Sequence, residues 1–360
     1  MQFDTRMVEQ TWSYDYLGNT VASTDDQSGF YDRSLGTISN GAATSGPHRI
    51  VTASNRTTPT PGVREGELSV LYDGAGNLID LAVQRDGPCL PTTMDCWQRF
   101  RYRWDELGRL VRAVRWDLAS AERAQHSSAG SPGPESTPDV ELLYSYDSGG
   151  TRVRKTAVAG GAVSHTVYVS PTLELRRAKF EGPTGSEDYT MDVATTHIRL
   201  GGGGVTARVV QVGAVPDGTD TTRLLMTLAD YLGSSTLSLD HTTGELVESG
   251  AYGAYGATDA SYRPARWGAE REPYRFTGKE EDVEVGLAYF GARYLSLGLG
   301  CWMSPDPVAV HEVRGDLNPY AYVAGRPTVA VDPDGREIAT AIVVGAAISF
   351  AIAYATESVA

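Results

Sequence analysis

An excess of lysine and arginine is missing from this chain, and its absence argues against a class of partner. Thirty-one basic residues face 45 acidic ones in 360, a formal charge of −14. Phosphate backbones are gripped by clustered cations, so a nucleic-acid partner is not expected. The surplus of acid favours solubility and says little about fold. Cysteine is scarce too, with Cys89, Cys96 and Cys301 the full set. Cys89 and Cys96 flank a short proline-containing loop. They could bridge in an oxidising compartment or stand as unrelated thiols. No Cys/His spacing has the form of a zinc site, and no cofactor or metal is expected. The amino terminus (MQFDTRMVEQTWSYD) has no basic segment followed by an apolar core, so no Sec-type leader is read there. Export would need another route or a longer parent chain. Because the chain starts inside repeat-like sequence, it is expected to be a fragment.

Runs of the helix formers Leu, Lys and Glu are also few, whereas Gly counts 40 and Tyr outnumbers Phe by 19 to 7. That balance favours strands joined by tight turns. The length suits two average domains or one large β domain. Four segments repeat one chemistry: Tyr14-Asp15-x-x-Gly18, Tyr72-Asp73-x-x-Gly76, Trp104-Asp105-x-x-Gly108 and Tyr146-Asp147-x-x-Gly150. A looser copy runs from Asp240 to Gly244. In each, a strand ends on the aromatic, Asp bonds the backbone ahead of it, Gly takes the positive φ, and a new strand leaves. Each unit is therefore a β-hairpin, too weak alone and stable when stacked. The alternation in residues 98–103 (QRFRYR) and 110–116 (LVRAVRW) marks strands with one buried face. Strands are also read at 163–168, 197–200 and 205–212. Residues 39–60 and 127–138, rich in Ser, Thr, Gly and Pro, read as loops. The Gly201–Gly204 run reads as a turn or bulge rather than a phosphate cradle, since no Gly-Lys-Ser/Thr follows.

The stretch 273–335 concentrates the chemistry. It holds two Asp-Pro dipeptides, Asp306-Pro307 and Asp332-Pro333, just ahead of an uncharged apolar run at 338–355. Peptide hydrolysis needs a water made nucleophilic and an amine protonated on leaving. Two carboxylates sharing a proton supply both. Asp306 and Asp332 are the candidate pair, with Asp334 as a neighbour able to substitute. The plainer alternative is that Asp-Pro and Asp-Pro-Asp-Gly simply form turns. Cys301 with His311 makes a weaker nucleophile-base candidate. Glu280 and Glu281 read as a solvated turn rather than a glycosidase pair, and the aromatics as packing rather than sugar-binding groups. As a helix the apolar run would span about 27 Å, borderline for a bilayer. It reads as the first helix of a downstream domain, a membrane-active segment, or a helix buried within the fold.

The aromatic-Asp-x-x-Gly units resemble YD repeats. Together with Tyr274-Arg-Phe-Thr-Gly278-Lys-Glu280, Gly286-Leu-Ala-Tyr-Phe-Gly-Ala-Arg-Tyr294, Trp302-Met-Ser-Pro-Asp306-Pro307, Asn318-Pro-Tyr-Ala-Tyr322 and Asp332-Pro-Asp-Gly335, the chain is similar to RHS/YD-repeat proteins and their repeat-associated core. The resemblance covers the chain to Gly335 and is most specific from Tyr274. It implies an all-β architecture of stacked hairpins, part of a spiral sheet shell over 1–272. A core segment over 273–336 would close that shell, and a variable toxin or membrane-active region would begin at 337. It further implies a polymorphic-toxin role, in which the core acts as an aspartyl autoprotease through Asp306 and Asp332 and frees an enclosed effector. The paired family motif is Asp-Pro-x-Gly-Leu, cut after the Leu position. Here Ala309 and Val310 replace Gly and Leu in the first copy, and Arg336 replaces Leu in the second, which places the expected cut at Arg336–Glu337. Implied partners are the effector, a cognate immunity protein and a secretion-system component used in bacterial competition, with membrane contact through 338–355. The competing reading is a structural or adhesive remnant that never cuts.

Overall fold

The structure is a computed structural model that describes residues 6–26, 34–42, 46–55, 64–88, 95–180, 189–190, 195–202, 205–212, 222–268, 271–307, 317–336 and 338–340. A single 19-stranded antiparallel sheet runs from Gln10–Tyr14 to Thr258–Tyr262. Each strand pairs with its neighbours in the chain, so the sheet is a continuous meander. Tyr189–Thr190 and Thr195–Gly202 both run antiparallel to Leu173–Phe180, two pieces of one strand position. The only α-helix among the described residues is Ser120–His126.

The repeat units form the turns expected of them, and their side chains explain why. In the first, the Asp15 carboxylate accepts the amides of Leu17 and Asn19 at 2.9 Å, while Gly18 closes the turn at φ 75°. Asp73, Asp105 and Asp147 repeat the arrangement. Asp230 opens a further turn of this kind, to Leu232 and Ser234, which was not among the repeat units read from sequence. It lacks the preceding aromatic that marks the others. The looser Asp240–Gly244 unit is also a turn.

In a meander the turns alternate between two rims. The turns opened by Asp15, Asp73, Asp105, Asp147 and Asp230 all fall on one rim, and the Asp240 turn falls on the other. Two strands, Gly36–Asn40 and Ile50–Ser54, extend into what sequence reading gave to a loop at 39–60. They pair with each other, Ile38 opposite Ala53 and Ser39 opposite Thr52, and Ile50–Ser54 also lines up on Gly66–Tyr72. The glycine run lies at a hairpin tip, Gly202 opposite Val205, with 203–204 outside the described residues.

The described residues of 273–307 and 317–336 pack across the rim that carries the repeat turns. Asn318 donates to the Gly18 carbonyl and the Asn19 side chain, and the Tyr320 hydroxyl to the Gly76 carbonyl at 2.8 Å. Thr277 donates its amide to Ser234 beside the Asp230 turn. The main apolar core joins inward residues of the sheet, among them Leu78, Leu110, Leu142 and Tyr144, to Leu287, Tyr294 and Met303 of this segment. A second core lies around Phe290, Leu295, Trp302 and Tyr322. The repeat aromatics therefore pack: Tyr72 stands edge-on to Tyr320 at 5.8 Å, and Tyr146 bonds Tyr294 through their hydroxyls at 2.9 Å.

Candidate aspartyl site

Three short segments converge beside this second core. The hairpin Leu287–Tyr289 to Tyr294–Ser296 turns tightly through Gly291 (φ 103°) and presents Arg293. Asp306 follows the strand Cys301–Trp302, and its amide is held by the Pro319 carbonyl at 3.0 Å. Asp332 follows Ala330–Val331, which pairs with Ala339–Thr340. The described residues 332–336 and 338 thus lie between the two strands of a small hairpin, and Arg336, the residue before the expected cut, is among them.

The structure brings the two predicted aspartates to one nitrogen. Arg293 Nη2 lies 3.0 Å from Asp306 Oδ2 and 3.3 Å from Asp332 Oδ2. The arginine is itself buried and stacks over the Trp302 ring at 4.1 Å. Burial lowers its pKa, while Asp306 and Asp332 pull it back up. The Asp332 side chain is 2% exposed and that of Asp306 18%, so one acid is enclosed and the other meets solvent.

Asp332 divides its oxygens between two tasks. Oδ1 accepts the amides of Asp334, Gly335 and Arg336, at 2.7 Å for Gly335, so the turn-forming reading of Asp-Pro-Asp-Gly holds. Oδ2 accepts from Arg293 Nη2 at 3.3 Å. Burial pushes the Asp332 carboxyl up and outweighs the pull of Arg293 and the amides. Asp334 is exposed, and its Oδ1 accepts the Arg336 amide at 3.0 Å; it is not brought to the pair. Arg336 is exposed, and Glu337 lies outside the described residues.

Sequence reading missed Arg293, which sits in the Gly-Ala-Arg-Tyr run without any mark of a special role. It also placed Glu280 and Glu281 in a solvated turn, which the structure corrects. Glu280 is buried in the strand Glu280–Asp282, where Arg152, Lys155 and Arg176 reach it from the sheet interior. Burial alone would raise its pKa, but those three cations hold it well below the usual carboxylate range. Glu281 pairs with Arg275 and Arg271. Burial pushes the Cys301 thiol up to about 12, which disfavours its thiolate at neutral pH; its candidate partner His311 lies outside the described residues, as does Cys89. The apolar run opens not as a helix but with the strand residues Ala339–Thr340, and its remainder is outside the described residues. No helix among the described residues is long and apolar enough to cross a membrane.

No protein-family model matches the chain. Among curated proteins it is similar to toxin subunit YenC1 of Yersinia entomophaga, 30% identical over 223 residues, covering 60% of this chain and 21% of that protein. A double-stranded DNA deaminase toxin of Burkholderia cenocepacia is 26% identical over 275 residues, covering 73% and 19%. Toxin protein Tse5 of Pseudomonas aeruginosa is 25% identical over 300 residues, covering 76% and 19%. The chain therefore spans about a fifth of the length of these relatives. Among solved structures, the TcdB2-TccC3 complex aligns over 91% of this chain and 17% of its own at a TM-score of 0.51 and 20% identity, a likeness of fold.

Proposed function

The chain is related to RHS-type toxins and to the C subunits of insecticidal toxin complexes, and on that premise we propose that it is a shell portion whose core segment cuts itself. In this reading residues 1–272 build the shell wall, 273–336 close it and carry the acid pair, and an effector region begins at 337. The observation that carries the reading is Arg293 holding Asp306 and Asp332 together while Asp332 also binds the amide of Arg336, the residue before the expected cut.

The division of labour follows from burial. Asp306, open to solvent, takes a proton from a water whose oxygen attacks the Arg336 carbonyl carbon. Asp332, whose raised pKa keeps it protonated longer, gives a proton to the Glu337 nitrogen as the C–N bond breaks. A carboxyl group at 336 and an amine at 337 result. Tethering in cis supplies the proximity that such a pair needs for a single turnover.

The effector itself is expected to differ among relatives. Two similar proteins are named for different chemistries, DNA deamination and tRNA cleavage, and TccC3 has a C-terminal region described as hypervariable. A neutralising immunity partner, delivery by a secretion machine and membrane contact by 338–355 belong to the same proposal.

Intact-mass analysis of the purified protein tests the reading. The expected result is a break between Arg336 and Glu337 that Asp306→Asn and Asp332→Asn each abolish. A folded wild type that stays whole would overturn it and leave a structural module.

A further inference from the structure

Arg336 stands where the family's cut follows leucine, so what selects the bond here needs a physical answer. The loop ahead of the bond is pinned through its main chain. Three successive carbonyls each receive a donor: Pro333 from the Lys279 ammonium, Asp334 from the Ala292 amide at 2.9 Å, and Gly335 from the Arg293 guanidinium. The three amides that follow proline, at 334, 335 and 336, all point at Asp332 Oδ1. Space is equally restricted, since a Cβ on Gly335 (φ 82°) would stand 2.9 Å from the Arg293 amide nitrogen. Against this, the Arg336 side chain faces solvent.

Resting on the self-cleavage reading, we infer that this site selects its bond by the backbone path of 333–336, and that Lys279 is a positioning residue that fixes that path. Lys279 supplies the outermost of the three clamps, and the only one made by a side chain outside the Gly291–Arg293 turn. It follows the Phe276–Gly278 turn, where Thr277 and Gly278 both take positive φ, and its ammonium lies 5.4 Å from the Phe290 ring centre. The clamp does not touch the side chain at 336, which removes the need for leucine there.

The test follows self-cleavage by intact mass in wild type, Lys279→Met, Lys279→Arg and Arg336→Leu, with hydrogen exchange read at the 334–336 amides. Lys279→Met is expected to slow cutting about 100-fold, the scale of a misplacement near 1 Å, and to speed exchange at those amides. Lys279→Arg, which keeps a cationic donor, should restore most of both. Arg336→Leu should move the rate by about twofold, the scale of a surface change. Cutting by Lys279→Met at the wild-type rate, or a change by Arg336→Leu as large as that of Lys279→Met, overturns the inference and leaves self-cleavage standing. If wild type does not cut, the self-cleavage reading falls and this inference with it; unchanged exchange in Lys279→Met would separately refute the clamp.

Discussion

Asp332 builds a turn and faces Arg293, and in the proposed reaction it also serves as the acid. Three amides and Arg293 favour its charged form, yet burial outweighs them and raises the pKa. Two consequences share one sign. The folded state binds the proton more tightly than the unfolded chain, so the contribution of Asp332 to stability is full below the ordinary aspartate range and is lost as pH rises through the raised value. Acting as the acid, it should also lose competence over that same rise. The single-turnover rate is therefore expected to fall as pH climbs past the usual carboxylate range, followed by intact mass after a pH jump. A rate that rises there would reverse the roles given to the two acids. Cys301 offers a simpler check: with a thiol pKa pushed up to about 12 it should resist iodoacetamide in the native state near neutral pH and react after unfolding. The two aspartates were legible because Asp-Pro repeats ahead of a change in composition. Arg293 was not, because its meaning comes from contact with Asp332, 39 residues away.

At the scale of elements, the strand Glu280–Asp282 shows how the segment from 273 onward is fastened to the sheet. Glu280 and Asp282 enter the sheet interior and meet Arg152 and Lys155, while Glu174 and Arg176 extend the network at its edge. Arg152 is surrounded by Tyr144, Tyr168, Tyr289 and Tyr294, with ring centres 4.2 to 5.9 Å away. A buried, balanced set of this kind contributes little net stability against apolar packing, but removing one member strands its partners. Glu280→Gln is expected to destabilise the protein by about 3–5 kcal/mol, read from the urea midpoint. Because the Glu280 pKa is lowered, the stability it contributes is present above the ordinary carboxylate range and lost as pH falls towards its depressed value. Acid titration of tryptophan fluorescence should show that loss in wild type and a flatter profile in Glu280→Gln. Sequence could not display this fastening, since Arg152 and Glu280 are 128 residues apart and a Glu-Glu-Asp run looks like a wet turn by itself. The hairpins were legible for the opposite reason: each Asp-x-x-Gly turn is complete within about five residues of chain.

For the whole molecule, a meander of hairpins has two ends, and local repeats do not reveal what happens to them. Here the first and last hairpins meet through side chains, with no strand pairing between them among the described residues. Arg6 pairs with Asp259 at 3.2 Å, the Met7 amide donates to the same carboxylate, and the hydroxyls of Tyr14 and Tyr255 bond at 2.7 Å. Tyr255 is the joint. It stands edge-on to Trp12 of the first strand at 5.5 Å and to Tyr322 of the segment after 273 at 6.4 Å, so three parts of the chain lean on one ring. Stability should accordingly be uneven, with the central strands, paired on both sides, opening last. Tyr255→Ala leaves a cavity among all three parts and is expected to cost about 3 kcal/mol, the scale for losing a buried aromatic. The loss should be local. Hydrogen exchange at Gln10–Tyr14 is expected to accelerate strongly while Asp95–Trp104 and Leu110–Asp117 keep their protection. Equal acceleration everywhere would mean that the sheet opens as one unit, and that the seam is no weaker than its ladders.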